Sequence, residues 1–144
     1  MLQFITHSNE KYDYLTSAIE ALKGGCHWIQ LRMKNIPEQT VMATALQLKE
    51  YCRKYNAKLI LDDHVQATLK TGADGVHLGK NDMSPSDARK ILGNGYIIGG
   101  TANTLDDIER LIKEGVDYIG LGPFRYTETK KNLSPILGID GYKK

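Results

Sequence analysis

GADGVHLG (Gly72–Gly79) and GVDYIGLG (Gly115–Gly122) repeat one pattern at a spacing of 43 residues, and GCHWIQLR (Gly25–Arg32) is a weaker copy 47 residues earlier. Each copy opens on glycine and runs into a short apolar stretch of strand character. A period near 45 holds two strand–helix units. The intervening sequence supplies the helices and the other strands. Strands are expected at Leu2–Thr6, Cys26–Arg32, Lys58–Leu61, Gly75–Leu78, Tyr96–Ile98 and Asp117–Leu121. Helices are expected near Tyr12–Lys23, with Leu15, Ala18, Ile19 and Leu22 on one face, and near Pro37–Tyr55, with Val41, Ala45, Leu48 and Cys52 inward. A short helix should span His64–Thr71 and stop at Gly72. Ser84 and Thr104 read as N-caps of two further helices, one ending near Leu92–Gly93 and the other closed by Gly115.

Six strands alternating with helices require parallel pairing, because each crossover needs a helix. The repeats fall on strands two, four and six, as in a TIM-type (β/α) barrel whose alternate strands fill alternate core layers. Eight such units would need about 190 residues, whereas the chain has 144. The expectation is one α/β domain over residues 1–144, a parallel barrel with about six of eight units and incomplete at the C-terminus.

Composition narrows the function. Hydrophobic residues are 41% and charged residues 25%, which excludes collagen, coiled-coil and disordered classes. A formal net charge of +2 gives no support for a nucleic-acid or membrane-surface partner. No apolar run approaches the roughly 20 residues of a transmembrane helix. The opening MLQFITHSNE lacks the pattern of a signal peptide. Cys26 and Cys52 have no metal-site spacing and read as small core residues, which suits the cytoplasm.

Barrel active sites lie at the C-terminal strand ends. There the sequence offers Gln30, Arg32 and Lys34 after strand two, and Asp62, Asp63 and His64 after strand three. Strand four ends at His77, with Lys80 and Asp82 beyond. Thr101 and Asn103 follow strand five, and Thr127, Thr129 and Lys130 follow strand six. Gln30, Arg32 and Lys34 alternate, so on an extended strand they share a face fit for a phosphate or pyrophosphate. The same triplet also fits a solvated strand end. Asp63 and Asp82 would suit Mg²⁺, which takes one or two carboxylates plus phosphate oxygens and water; a helix cap and a turn residue are the plainer readings. His77 reads as a packed or hydrogen-bonded barrel residue. GPFRYTETKK (Gly122–Lys131) breaks the strand with Gly-Pro, then sets two hydroxyls before Lys130, a phosphate cradle or a surface loop.

Together QLRMK, LDDH, GADGVHLGKND, IIGGTAN and GPFRYTETKK resemble the thiamine-phosphate synthase family over essentially the whole chain. The resemblance implies a (β/α)₈ barrel that joins hydroxymethylpyrimidine diphosphate to thiazole phosphate with Mg²⁺, releasing pyrophosphate. It implies that Gln30, Arg32 and Lys34 hold the diphosphate, and that Asp63 and Asp82 bind Mg²⁺. Asp62 and Thr101 would contact substrate, and Thr127 and Thr129 would lie near the thiazole phosphate. Lys130 would contact the diphosphate and, with Arg32, carry catalysis. The implied mechanism is dissociative: pyrophosphate leaves first, and the thiazole nitrogen captures a pyrimidine-methyl cation.

Three departures stand out. Asp62 replaces the usual Asn, Asn103 stands where His is frequent, and the last two strand–helix units have no counterpart. Asn cannot do acid–base work near neutral pH, which argues against a thiazole tautomerase-like isomerase. The missing units leave a non-catalytic member that only binds diphosphate and Mg²⁺, or self-associates over an open barrel edge, as the alternative. An extra anion beside a diphosphate is unfavourable. Asp62→Asn is therefore expected to tighten pyrophosphate binding in calorimetric titration; unchanged or weaker binding would contradict this.

Overall fold

The computed structural model describes residues 2–127 and 134–143. Strands β1 (Phe4–Ile5), β2 (Trp28–Leu31), β3 (Lys58–Asp62), β4 (Gly75–Leu78), β5 (Ile97–Ala102) and β6 (Tyr118–Leu121) alternate with helices α1 (Tyr14–Lys23), α2 (Glu38–Lys54), α3 (Val65–Thr71), α4 (Pro85–Leu92) and α5 (Leu105–Lys113). Helix α6 (Gly138–Tyr142) comes last. The strands pair in sequence order, β1 through β6, and every pair is parallel. A sheet that grows in one direction is a barrel wall rather than a doubly wound sheet. Among the described residues β6 does not pair with β1, so the architecture is a half-barrel.

Helix boundaries follow local chemistry. Asp13 caps α1 and forms a capping box with Thr16, so the helix starts two residues later than periodicity suggests. Pro37 is the residue before α2 and offers no side-chain cap. Ser84 caps α4 ahead of Pro85, and Thr104 forms a capping box with Asp107 on α5. α5 ends at Lys113, two residues before Gly115. The first two strands are shorter than expected, whereas β5 is longer and takes in Thr101.

Glycines make β5 possible. A Cβ on Gly99 would lie 2.1 Å from Cζ of Tyr118, and one on Gly100 would lie 2.4 Å from Cδ2 of Leu111. Gly99 thus leaves the barrel interior open for a tyrosine ring, while Gly100 lets α5 press onto the outer face.

Outward residues of the wall pack in two clusters. Ile29, Leu31, Leu59 and Leu61 meet Leu22 of α1 and Val41, Leu48 and Cys52 of α2. Val76, Leu78 and Ile98 meet Ala88 and Leu92 of α4. Both cysteines are free and buried, and burial pushes the Cys52 thiol up to about 12.

The repeat has a structural cause. Asp74 and Asp117 are its equivalent third residues, each just before a strand. Asp74 accepts the backbone N–H of Leu59 at 2.9 Å and pairs with Lys58 at 2.7 Å. Asp117 accepts the backbone N–H of Ile98 at 2.7 Å and pairs with Arg89 at 2.7 Å. Each carboxylate thereby ties its own strand to the start of the preceding one. Asp117→Ala would strand the Ile98 N–H and release Arg89. It is expected to cost roughly 1–2 kcal/mol, read from urea unfolding.

Candidate active site

The charged residues of the C-terminal strand ends converge. β2 lies beside β3 with Gln30 level with Ile60 and Leu31 level with Leu61, so the residues that follow meet at one mouth. Thr6 fixes the exit of β2: its Oγ1 accepts from Arg32 N at 2.9 Å and donates to the Arg32 carbonyl at 3.3 Å. Met33 turns into the core and leaves Arg32 and Lys34 on the opposite side. The expected alternation therefore persists beyond the end of the strand.

Asp62, only 7% exposed, is the hub. Its Oδ1 accepts from Gln30 Nε2 at 2.7 Å. Its Oδ2 lies 3.2 Å from Lys34 Nζ and 3.6 Å from Arg32 Nε. Lys34 also hydrogen-bonds Asp63. Partial burial works against the Lys34 ammonium, but Asp63 and Asp62 outweigh it and raise its pKa above the ordinary lysine value. Lys34 is thus held charged by the two carboxylates, with Arg32 beside it against Asp62. Gln30 gives one of its two amide hydrogens to Asp62, and its Oε1 is buried with no partner among the described residues. In this arrangement Gln30 offers a ligand an acceptor.

Asp63 holds a positive φ of 68°, and the His64 N–H bonds the Asp62 carbonyl at 2.9 Å. This three-residue γ-type turn is uncommon for a side-chain-bearing residue and stores strain at the mouth. It points Asp63 toward Asp82, which follows β4 and accepts the Gly79 N–H at 2.6 Å. Partial burial and the facing Asp63 raise the Asp82 pKa. A carboxylate pair of this kind suits a hard divalent cation. Among the described residues there is no group of three or more metal-ligating side chains.

The other expected residues are placed as follows. Thr101 is the penultimate residue of β5, with its Oγ1 2.9 Å from His77 Nε2. Lys80 faces away from the aspartate pair, 2.6 Å from Asp107. Burial would push the Asp107 carboxyl up, but Lys80, the Asn103 N–H and Thr104 hold it at about 2. The Asn103 side chain donates to the Gly122 carbonyl, tying β5 to β6. Thr127 lies in the loop after β6, whereas Thr129 and Lys130 lie outside the described residues. The sequence reading missed Thr6, Gln3 and Tyr118. Tyr118 sits in the repeat, but only the clearance at Gly99 shows that its ring enters the barrel.

Fold and mouth together define a parallel β/α half-barrel protein with a charged cluster at the C-terminal strand ends. A family model for thiamine monophosphate synthase matches residues 2–144. The thiamine-phosphate synthase of Bacteroides thetaiotaomicron is 57% identical over 141 residues, covering 98% of this chain and 68% of that protein. The one from Bacteroides fragilis is 59% identical over 141 residues, covering 98% and 69%. A thiamine phosphate pyrophosphorylase structure from Pyrococcus furiosus superposes with a TM-score of 0.84 at 31% identity, covering 96% of this chain and 66% of that one. The chain belongs to the thiamine-phosphate synthase family, transferases of thiamine biosynthesis, and spans about two thirds of the length of these relatives.

The raised Asp82 pKa has a definite sign. Asp82 contributes its full stability below its unfolded pKa, and that contribution is lost as pH rises through its higher folded value. Once ionised, Asp82 beside Asp63 is a liability that a cation would relieve. Asp82→Asn is expected to raise the melting temperature at pH 7 by about 1–3 °C and to abolish stabilisation by Mg²⁺, both read by scanning calorimetry.

Proposed function

We propose that this chain carries the diphosphate half of a thiamine-phosphate synthase site. There it takes hydroxymethylpyrimidine diphosphate, joins it to thiazole phosphate and releases pyrophosphate. The supporting observation is the meeting of Arg32, Lys34, Asp62, Asp63 and Asp82, from three strand ends, at one mouth. Scattered surface charges would not be cross-linked across β2, β3 and β4.

Each group has a task under this reading. Arg32 and Lys34 leave the carboxylates and grip the diphosphate, so the negative charge that builds on it as the C–O bond breaks is met by fixed cations. The electron pair goes to the departing diphosphate, and the thiazole nitrogen supplies the pair for the new C–N bond. The buried Gln30 carbonyl suits an N–H donor, such as the exocyclic amine of the pyrimidine. Asp63 and Asp82 would hold Mg²⁺, which supplies further charge neutralisation to the diphosphate. Thr101 supplies a hydroxyl at the same mouth. Thr127 and Thr129 are assigned to the thiazole phosphate, and Lys130 to the diphosphate.

One observation favours a second reading. A cavity of about 1120 Å³ opens at the N-terminal ends of the strands, lined by Phe4, Trp28, Ile97 and Tyr118 among others, and touching none of the mouth aspartates. Half-exposed apolar walls of this kind support self-association of the chain, with or without activity. No helix among the described residues is long and apolar enough to cross a membrane, and two buried free thiols suit a cytoplasmic protein.

Titration with pyrophosphate and Mg²⁺ tests the mouth, a coupled assay for thiamine phosphate tests the reaction, and light scattering tests association. Lys34→Ala is expected to weaken pyrophosphate at least about tenfold, the loss of one charge-assisted contact. Unchanged affinity in that variant would remove the mouth from consideration.

A further inference from the structure

A second polar network crosses the barrel interior beneath the mouth. Gln3 Nε2 donates to Tyr118 Oη at 3.1 Å, bridging residues 115 apart in sequence. Tyr118 Oη lies 3.0 Å from His77 Nδ1, and His77 Nε2 lies 2.9 Å from Thr101 Oγ1. His77 is 8% exposed. The Tyr118 ring also packs edge-on against Trp28, with centroids 4.8 Å apart. Two glycines make room: Gly99 for the tyrosine ring, and Gly120, where a Cβ would approach His77 Cε1 to 3.1 Å. Packing and hydrogen bonding therefore fix both rings.

We propose that Gln3, Tyr118 and His77 form a one-way hydrogen-bond chain that turns the Thr101 hydroxyl hydrogen toward an anion bound at the mouth, which makes Tyr118 and His77 positioning residues. The direction follows from donor chemistry. The Gln3 amide nitrogen can only donate, so the phenol oxygen accepts from it. Among the described residues, the acceptor that the phenol hydrogen meets is His77 Nδ1. An accepting Nδ1 places the ring proton on Nε2, which then donates to Thr101 Oγ1. The Thr101 oxygen is thereby engaged as an acceptor and its own hydrogen is left for a ligand. Burial pushes the Tyr118 phenol up to about 12, so it keeps its proton over the working range.

Register sets Thr101 beside the metal-ligand candidates. Leu78 is level with Gly100, so the next pair is Gly79 and Thr101, and the Gly79 N–H holds Asp82. The inference rests on the diphosphate reading of the mouth, and its test separates the two. In the histidine-¹⁵N-labelled chain, His77 is expected as the neutral tautomer protonated on Nε2. Tyr118→Phe keeps the ring in place and should move His77 toward a mixture of tautomers.

Pyrophosphate binding with Mg²⁺, by calorimetry, is expected to weaken about three- to tenfold in Tyr118→Phe. Thr101→Ala should weaken it by at least as much, and Thr101→Ser should retain it. In the Thr101→Ala background, adding Tyr118→Phe should change affinity by less than about twofold, because Tyr118 acts through Thr101. A His77 protonated on Nδ1 in the unsubstituted chain overturns the proposal. So does Tyr118→Phe binding pyrophosphate as tightly as the parent, or weakening the Thr101→Ala chain as much as the parent. If the unsubstituted chain binds no pyrophosphate, the reading of the mouth fails and the relay with it as an anion-positioning device; the tautomer then decides only its hydrogen-bond direction.

Discussion

Two adjacent carboxylates at the end of β3 hold two cations at the end of β2, and the mouth takes its shape from that pairing. Asp62 and Asp63 share Lys34, and Asp62 alone also holds Arg32 and Gln30. Without the carboxylates, two cations would repel at the rim. Without the cations, two carboxylates on consecutive residues would face Asp82 with no counter-charge, a cost that grows as the local dielectric falls. The strained turn at Asp63 persists because both sides constrain it: its N–H binds the His77 carbonyl at 2.9 Å, and its side chain binds Lys34. An incoming diphosphate would exchange one set of anions for another around cations already in position, so little reorganisation would be needed.

The same pairing revises the expectation for Asp62. From sequence, an acid in place of an amide is an added repulsion toward a diphosphate. In the structure it is also the group that orients Arg32 and Lys34. Asp62→Asn would keep an oxygen for one cation and lose the charge that restrains both. The two effects oppose each other, and the affinity of that variant measures which is larger.

Much of the fold was legible because it is written in local chemistry. The glycine-led repeat, the cap residues Ser84 and Thr104, and the inward spacing on α2 each act within a few residues of themselves. The meeting of Arg32, Lys34, Asp62, Asp63 and Asp82 was legible because parallel crossovers bring every strand's C-terminal end to one side. What escaped were effects that need a partner far along the chain. Gly99 and Gly100 look like strand breakers until Tyr118 and Leu111 are seen to fill the space they leave. Gln30 looks like a plain donor until Asp62 is found to take one of its amide hydrogens and its Oε1 to lie buried without a partner among the described residues. Asp74 and Asp117 were visible as a repeat, but their use, holding the N–H of a residue 15 or 19 positions earlier, depends on tertiary register.

The two interior networks meet across one register pair, Asp62 level with His77. Outside the wall the residues are apolar and close-packed. Inside, the upper layer is Gln30, Asp62, His77, Thr101 and Tyr118. A barrel built for stability alone would fill that layer with Val, Ile or Leu, because an unpaired buried polar group costs about 1–3 kcal/mol. Here most of the layer is paired internally, which limits the cost. Gln30 Oε1 is the exception in that layer, and Trp28 Nε1, two residues earlier on β2, likewise has no partner among the described residues. They alternate on the strand and so face the same interior. An open donor and an open acceptor on one interior face set the inside of the half-barrel apart from the apolar packing on the outside of the wall.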